Sequence, residues 1–256
     1  MAALPTWIKN EYAFPGTIKR GDRGNKVRFA QEWLSLNGIQ VVADGIFGPA
    51  SEQALREFQD ANDLKTTGTA NKKTLEALTA PLQRALKPIP LQDRSFAELV
   101  IAYAKQHLAE HPREVGGQNL GPWVRLYMQG HEGHDFPWCA GFVSFIAKEA
   151  ARTFDTKLEI PYTFSCDVIA VEGQHRNRFI SEKEARAMPK SNLTAGSVFL
   201  NRRTPTDWIH TGLVIKFNEE TFETIEGNTN DEGSREGFEV CRRIRGYKDK
   251  DFIRMS

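Results

Sequence analysis

The chain has 256 residues, long enough for one large domain or two smaller ones. Its 34 Lys and Arg are matched by 33 Asp and Glu, and neither half is polarised: residues 1–90 hold 12 basic and 9 acidic groups, leaving 22 and 24 for the rest. This balance argues against nucleic acid as a partner, and no stretch approaches the roughly 18 apolar residues of a membrane span, so no membrane insertion is expected.

Residues 21–80 read as a compact helical unit. Asp22 can cap a helix running from about Lys26 to Asn37, with Val27, Ala30, Trp33 and Leu34 as its apolar face, and Gly38 ends it. Asp44-Gly45-Ile46-Phe47-Gly48-Pro49 is a turn cluster, after which Ser51 can cap a second helix of about 51–62 with Ala54, Leu55 and Phe58 inward. A third short helix begins near Ala70 and carries Leu75 and Leu78. The run Gly21-Asp22-Arg23-Gly24, Val27, Gln31, Leu34, Gly38, Asp44-Gly45-x-Phe47-Gly48, Ala54, Phe58-Gln59 and Leu64 resembles the peptidoglycan-binding module found beside many cell-wall hydrolases. Thr67-Gly68-Thr69 replaces the second Asp-Gly turn usual there, so a different entry into the third helix is expected. The resemblance implies peptidoglycan as the ligand. Helical spacing makes Trp33 a core residue rather than a sugar platform.

Residues 81–94, with Pro81, Pro88 and Pro90 among Leu82, Leu86 and Ile89, read as a semi-rigid linker. A second domain is expected over 95–256, opening with a helix of about 96–110 capped by Ser95. A glycine-rich loop, Glu114–Trp123, and a short apolar turn, Val124–Met128, follow.

The chain is organised around Asp135-Phe136-Pro137-Trp138-Cys139-Ala140-Gly141-Phe142-Val143. Pro137 lacks an N–H and suits the start of a helix, and Phe142, Val143, Phe145, Ile146 and Ala150 continue at helical spacing. Cys139 therefore falls near a helix N-terminus, where unpaired N–H groups and the dipole favour the thiolate that a cysteine hydrolase needs. The alternative use of such a cysteine is as a small buried hydrophobe. Cys139, Cys166 and Cys241 are odd in number and far apart, so they form neither a disulfide framework nor a zinc ribbon.

Residues 155–194 read as irregular apart from one helix at 181–188. From Ala195 the period changes to two, and Ser197–Leu200, Trp208–Phe217, Phe222–Gly227 and Phe238–Ile244 read as strands, an α+β pattern. His210 shares a strand face with Gly212 and Val214. Phe222, Thr224, Glu226 and Asn228 share one on the strand returning through the hairpin Asn218–Thr221. A register with an even residue sum sets Glu226 or Asn228 beside His210, and an odd sum separates them.

A helix-terminal thiol, an imidazole and a neighbouring carboxylate or amide form a nucleophile–base–orienter set. The motifs Trp138-Cys139-Ala140-x-Phe142-Val143, Gly196-Ser197-Val198-Phe199, His210-x-Gly212-Leu213-Val214 and Glu226-Gly227-Asn228, with Gly117…Asn119…Gly121-Pro122 upstream, are similar to those of the CHAP domain. This is the cysteine- and histidine-dependent amidohydrolase/peptidase of bacterial and phage wall hydrolases; NlpC-type peptidases are more distantly similar. Over 95–246 the resemblance implies a papain-like domain with an antiparallel sheet, Cys139 as nucleophile, His210 as base and Glu226 as orienting group. Asn228 is the alternative third member or a polar stabiliser. By the same analogy the Cys139 N–H helps form the oxyanion hole, with Gln118 or Asn119 as second donor. Trp138, Trp208, Gln118 and Asn119 are the expected substrate contacts.

His131-x-x-His134 is too closely spaced for a helical zinc pair and lies among Gly130 and Gly133, so a solvated loop is expected, with no metal and no cofactor. His107, His111 and His175 read as surface groups, and Cys166 and Cys241 as packing residues.

These readings combine as a helical peptidoglycan-binding domain at 1–80, a Pro-containing linker at 81–94 and a papain-like CHAP domain at 95–256. Together they describe a peptidoglycan hydrolase, either an N-acetylmuramoyl-L-alanine amidase or an endopeptidase, working through an acyl-enzyme. A non-catalytic wall-binding protein is the alternative; a zinc peptidase lacks a ligand set. A monomer with peptidoglycan as partner is expected, joined by an immunity protein if the chain is a secreted antibacterial effector rather than a phage endolysin. Met1–Lys9 lacks the basic-then-apolar pattern of a secretory signal, so cytoplasmic synthesis is expected, with delivery to the wall or periplasm by lysis or specialised secretion.

Overall fold

A computed structural model of the protein describes residues 5–13, 16–158, 160–229 and 237–255. In chain order its helices and strands are α1 (Thr6–Tyr12), α2 (Asn25–Leu36), α3 (Pro49–Ala61), α4 (Lys72–Leu78), α5 (Ala80–Ala85), α6 (Phe96–Ala109), α7 (Pro122–Tyr127), α8 (Cys139–Phe154), α9 (Cys166–His175), β1 (Phe179–Ile180), α10 (Glu182–Ala187), β2 (Val198–Thr204), β3 (Asp207–Phe217), β4 (Thr221–Thr229), β5 (Glu239–Gly246) and β6 (Lys250–Ile253). They gather into two compact units, Met1–Leu86 with Arg113–Asp135, and Lys87–Pro112 with Phe136–Ser256.

In the first unit α2, α3 and α4 bury Val27, Ala30, Leu34, Leu55, Phe58, Leu75 and Leu78, the faces that helical spacing marked. Trp33 is core: it is fully buried, edge-on to Trp123, and its indole N–H donates to the Glu11 carbonyl at 3.2 Å. The expected caps differ. Asp22 does not cap α2, because its carboxylate accepts the Lys19 N–H at 2.9 Å and α2 starts after Gly24. Pro49, pre-set for a first helical turn, starts α3 earlier, which leaves Ser51 inside the helix and buried.

What Ser51 does instead is serve a buried glutamine. Gln31 donates to Ser51 Oγ (2.9 Å), Asp44 Oδ1 (3.0 Å) and the Ile46 carbonyl (3.1 Å), and its own carbonyl accepts the Gly45 N–H at 2.8 Å. Gln59 does the same for the second turn, accepting the Thr67 and Gly68 N–H groups, each at 2.9 Å, and donating to the Thr69 carbonyl at 3.0 Å. The Thr67-Gly68-Thr69 departure thus changes the residues of the turn and keeps the device that holds it. α4 is then entered through Asn71, whose side chain caps the Thr74 N–H.

The break expected at 81–94 is corrected in two ways. Ala80–Ala85 is helical with Leu82 and Ala85 buried, so the first unit runs on to Leu86. Residues 113–135, read as part of the second domain, belong to the first unit, and the reason is one guanidinium. Arg125 on α7 is buried and donates to both Glu11 oxygens at 2.8 Å, to Glu32 at 2.7 Å and to Glu132 at 2.6 Å, with its guanidinium 4.2 Å from the centre of the Phe29 ring. Burial holds the Glu11 and Glu32 carboxyls above their ordinary range against the pull of Arg125. Removing one partner of such a set strands the others in a dry environment.

In the second unit α6 begins at the expected Ser95 cap, which Glu98 completes into a full capping box. It packs on α8, tied by the Tyr103 hydroxyl, which lies 2.6 Å from Thr153 Oγ1 and accepts the Ile89 N–H. His107, read as a surface group, is fully buried against Phe145, because it lies on the inner face of α6. Residues 155–194 are less irregular than expected. They hold α9, capped by Ser165, and β1, besides the anticipated helix α10. The sheet is antiparallel throughout, in the order β1-β6-β2-β3-β4-β5. The fold is α+β, with α8 resting on β3 and β4.

Gln31→Leu is expected to lower the stability of the first unit by about 1–3 kcal/mol, because the Gly45 N–H is left buried without its acceptor. The midpoint of chemical unfolding, followed by fluorescence of the buried Trp33 and Trp123, measures this; an unchanged midpoint would refute the role given to Gln31.

Candidate active site

Cys139 is the first residue of α8 and is 5% exposed. The first turn of the helix offers N–H groups without helical acceptors, and the Ala140 N–H bonds the Cys139 sulfur. Trp138 precedes it, fully buried. A Cβ at Gly227 on β4 would stand 2.7 Å from Phe142 Cβ and 2.8 Å from the Trp138 ring, so only glycine lets the start of α8 lie this close to the strand.

Opposite this helix end stand His210 and Glu226. Near the hairpin β3 and β4 pair Phe217 with Phe222 and Lys216 with Glu223, an odd sum that would put His210 and Glu226 on opposite faces. Between Val214 and Lys216 the register shifts, and from there Val214 pairs Thr224 and Leu213 pairs Ile225, an even sum. The irregularity at Ile215 therefore carries Glu226 to the face of His210. Continued, that register sets Glu226 opposite Gly212, where a Cβ would lie 2.6 Å from Glu226 Cγ. Gly212 leaves the space through which the carboxylate reaches the imidazole.

His210 Nε2 lies 2.8 Å from Glu226 Oε2, and both residues are buried. The second Glu226 oxygen accepts the Thr224 hydroxyl. Arg245 on β5 donates through Nε and Nη2 to both oxygens, with its guanidinium over the Phe199 ring. His210 Nδ1 is buried and has no nitrogen or oxygen partner among the described residues. The Cys139 sulfur and the ring act on each other as charges and as bonding partners, and Nδ1 is the nitrogen left for that contact.

The electrostatics favour a charged pair. A hydrogen bond from Cys166 holds the Cys139 thiol well below its ordinary range, against burial, with His210 and the Ala140 N–H adding to it. Burial opposes a charge on His210, but its bonds to Cys139 and Glu226 and their charges prevail and raise it to about 9. Burial would likewise lift Glu226, yet Arg245 and His210 bring it down to about 2. These shifts all run in the direction of thiolate, imidazolium, carboxylate and guanidinium in succession.

The residues expected around this set divide. Glu226 holds His210, while Asn228 lies two residues on, buried, with φ of 53° at the irregularity between β4 and β5. Of the expected substrate contacts, Trp138 has no exposed surface, and Trp208 is buried with its indole N–H on Asp251 at 2.9 Å. Gln118 and Asn119 belong to the first unit. Gln118 is exposed, and Asn119 is buried, donating its side-chain amide to the His134 carbonyl. His131 and His134 are exposed, as a solvated loop implies.

Sequence reasoning missed Arg245 and Cys166. Arg245 sits at period-two spacing from Cys241 and Arg243, so its face was readable, but the β4–β5 register that aligns Cys241 with Glu226 was not. Cys166 starts α9 with its Sγ 3.9 Å from that of Cys139; Ser165 before it is a cap signal that places a helix start without saying what the helix faces.

Comparison with known proteins bears on the first unit. Residues 23–78 match the model of the peptidoglycan binding domain family, and the chain thus carries a peptidoglycan-binding module. Among solved structures the N-terminal domain of SleB is 35% identical over 26% of this chain and 93% of that one, with a TM-score of 0.26. The Burkholderia AP3 phage endolysin is 28% identical over 41% of this chain and 40% of its own length, with a TM-score of 0.25. No curated protein matches the chain.

His210 should titrate near pH 9 by NMR of its ring protons, and Glu226→Gln should lower that value by removing the carboxylate charge. The folded value lies above the ordinary 6.5, so this pair's contribution to stability is complete below about 6.5 and is lost as pH rises through about 9. An unshifted titration in the variant would break the assignment.

Proposed function

We propose that this chain is a peptidoglycan hydrolase that cuts an amide bond of the wall peptide by cysteine nucleophilic catalysis. The observation that carries the reading is the ordered set of Cys139 at a helix N-terminus, His210 acting on it, and Glu226 at 2.8 Å from the far ring nitrogen. It is the nucleophile, base and orienting group of a papain-like hydrolase, in the order of the CHAP family. The peptidoglycan-binding module supports the substrate class, since a tethered module raises the local concentration of wall peptide.

In the proposed reaction the Cys139 thiolate attacks the carbonyl carbon. The oxygen gains negative charge, and the Cys139 backbone N–H at the start of α8 donates a hydrogen bond to it. The His210 imidazolium gives its Nδ1 proton to the leaving amine, so the C–N bond breaks and a thioester forms. Water then enters, loses a proton to His210 and attacks the thioester, returning the thiolate and releasing the acid. Glu226 keeps the ring oriented and favours its charged form, and Arg245 holds Glu226 ionised while it does so.

The test compares wild type with Cys139→Ala on purified sacculi, with released fragments identified by mass spectrometry. Wild type should release material and the variant none, a loss of at least about a thousandfold for removal of a nucleophile. New L-alanine N-termini would identify an amidase, and shortened or uncrosslinked stems still bearing muramic acid an endopeptidase. Equal release by both proteins, or binding without release by either, would overturn the catalytic reading.

A further inference from the structure

Acyl transfer uses one thiol, yet the site holds two. Cys166 is the first residue of α9, as Cys139 is of α8, and the two buried sulfurs are 3.9 Å apart. Two helix N-termini thus converge on one pair of sulfurs, and each dipole favours a thiolate at its end. Ser165 fixes the start of α9 by accepting the Val168 N–H, so the position of Cys166 is set by a capped helix rather than a loose loop. The proposed reaction uses Cys166 only as a hydrogen-bonding partner of Cys139, a part that does not call for a second sulfur.

We propose that Cys166 is a resolving cysteine that pairs with Cys139 under oxidation, switching the site off reversibly and protecting it from irreversible loss. The inference rests on Cys139 being the nucleophile of the proposed hydrolase. A thiolate poised for a carbonyl is also the form that hydroperoxides attack. In the first step the Cys139 thiolate attacks hydrogen peroxide and the O–O bond breaks. Sulfur is oxidised by two electrons to the sulfenic acid, and the peroxide, taking a proton, is reduced to water. In the second the Cys166 sulfur attacks the Cys139 sulfenic sulfur, an S–S bond forms, and the sulfenic oxygen leaves as water with the Cys166 proton. The thiol that lowers the Cys139 pKa by hydrogen bonding is thus the one positioned to attack its oxidised form. A dithiol restores both cysteines by exchange and is itself oxidised to a disulfide. Without Cys166 the sulfenic acid stays open to a second peroxide, giving the sulfinic acid that dithiols cannot reduce.

The experiment treats the purified full-length chain with hydrogen peroxide, then with dithiothreitol, and reads intact mass, non-reduced peptide maps and release from sacculi. Wild type should lose about 2 Da, yield a linked Cys139–Cys166 peptide, lose activity and regain it with dithiothreitol. Cys166→Ser keeps a hydrogen-bond donor but cannot form the bond. It should gain about 32 Da at Cys139 and recover at least about fivefold less of its own starting activity than wild type does. A wild type that gains that mass with no linked peptide, a linkage through Cys241, or equal recovery by the variant would overturn the proposal. If reduced wild type releases nothing from sacculi the hydrolase reading fails, and the linked peptide still decides whether the two sulfurs pair.

Discussion

Glu226 is a carboxylate with no exposed surface, and much of the second unit follows from keeping a charge there. A buried, unpaired carboxylate would protonate rather than stay ionised, so each of its lone pairs needs a donor. Arg245 supplies two, Thr224 one and His210 one. Those donors come from β5, β4 and β3, so three strands must be in register at once, and the irregularity at Ile215 is what brings the third into line. Gly212 is then required by volume, since any side chain would occupy the carboxylate's path. The imidazole inherits its orientation and its charge from this arrangement.

The helix end meets that strand cluster from the other side. At Cys139 three effects stabilise the thiolate against burial: the Cys166 hydrogen bond, the imidazolium, and the N–H groups of the first turn. They are not redundant, because a thiol with 5% exposure has little water to solvate its charge. Gly227 sets the distance, allowing Phe142 and Trp138 to close against β4. The aromatic neighbours of Cys139, Trp138 and Phe142, are thus packing that fixes the thiol, and neither has exposed surface.

Much of this was legible in the sequence where local rules decide. The start of the Cys139 helix, the helices around Trp33 and Phe58, the Ser95 cap and the hairpin after Phe217 follow from spacing, capping and turn chemistry. The illegible parts are those set by tertiary contacts. The parity of the β3–β4 register depends on a one-residue irregularity that no turn signal announces. The membership of 113–135 depends on Arg125 finding Glu11 and Glu32, more than ninety residues away in each case. His107 was misplaced because its polar sequence neighbours said nothing about the face of α6 it occupies. Cys166 was passed over for the same reason, as its partner is 27 residues back along the chain.

The two units differ in how they satisfy what they bury, and that difference separates scaffold from chemistry. Gln31 and Gln59 use both ends of their amides, and Arg125 has its three nitrogens engaged by carboxylates. Such groups are saturated; their function ends with the fold. His210 is different, because Nε2 is tightly held by Glu226 while buried Nδ1 has no nitrogen or oxygen partner among the described residues and is left to the Cys139 sulfur. An unsatisfied buried nitrogen costs about 1–3 kcal/mol, and a purely structural position would be better served by an apolar side chain. What offsets the cost is the neighbouring Cys139 sulfur, whose bond and charge act on the ring. The saturated amides and the Arg125 guanidinium fix turns and helices of the first unit, whereas in the second unit His210 keeps one ring nitrogen for the Cys139 sulfur.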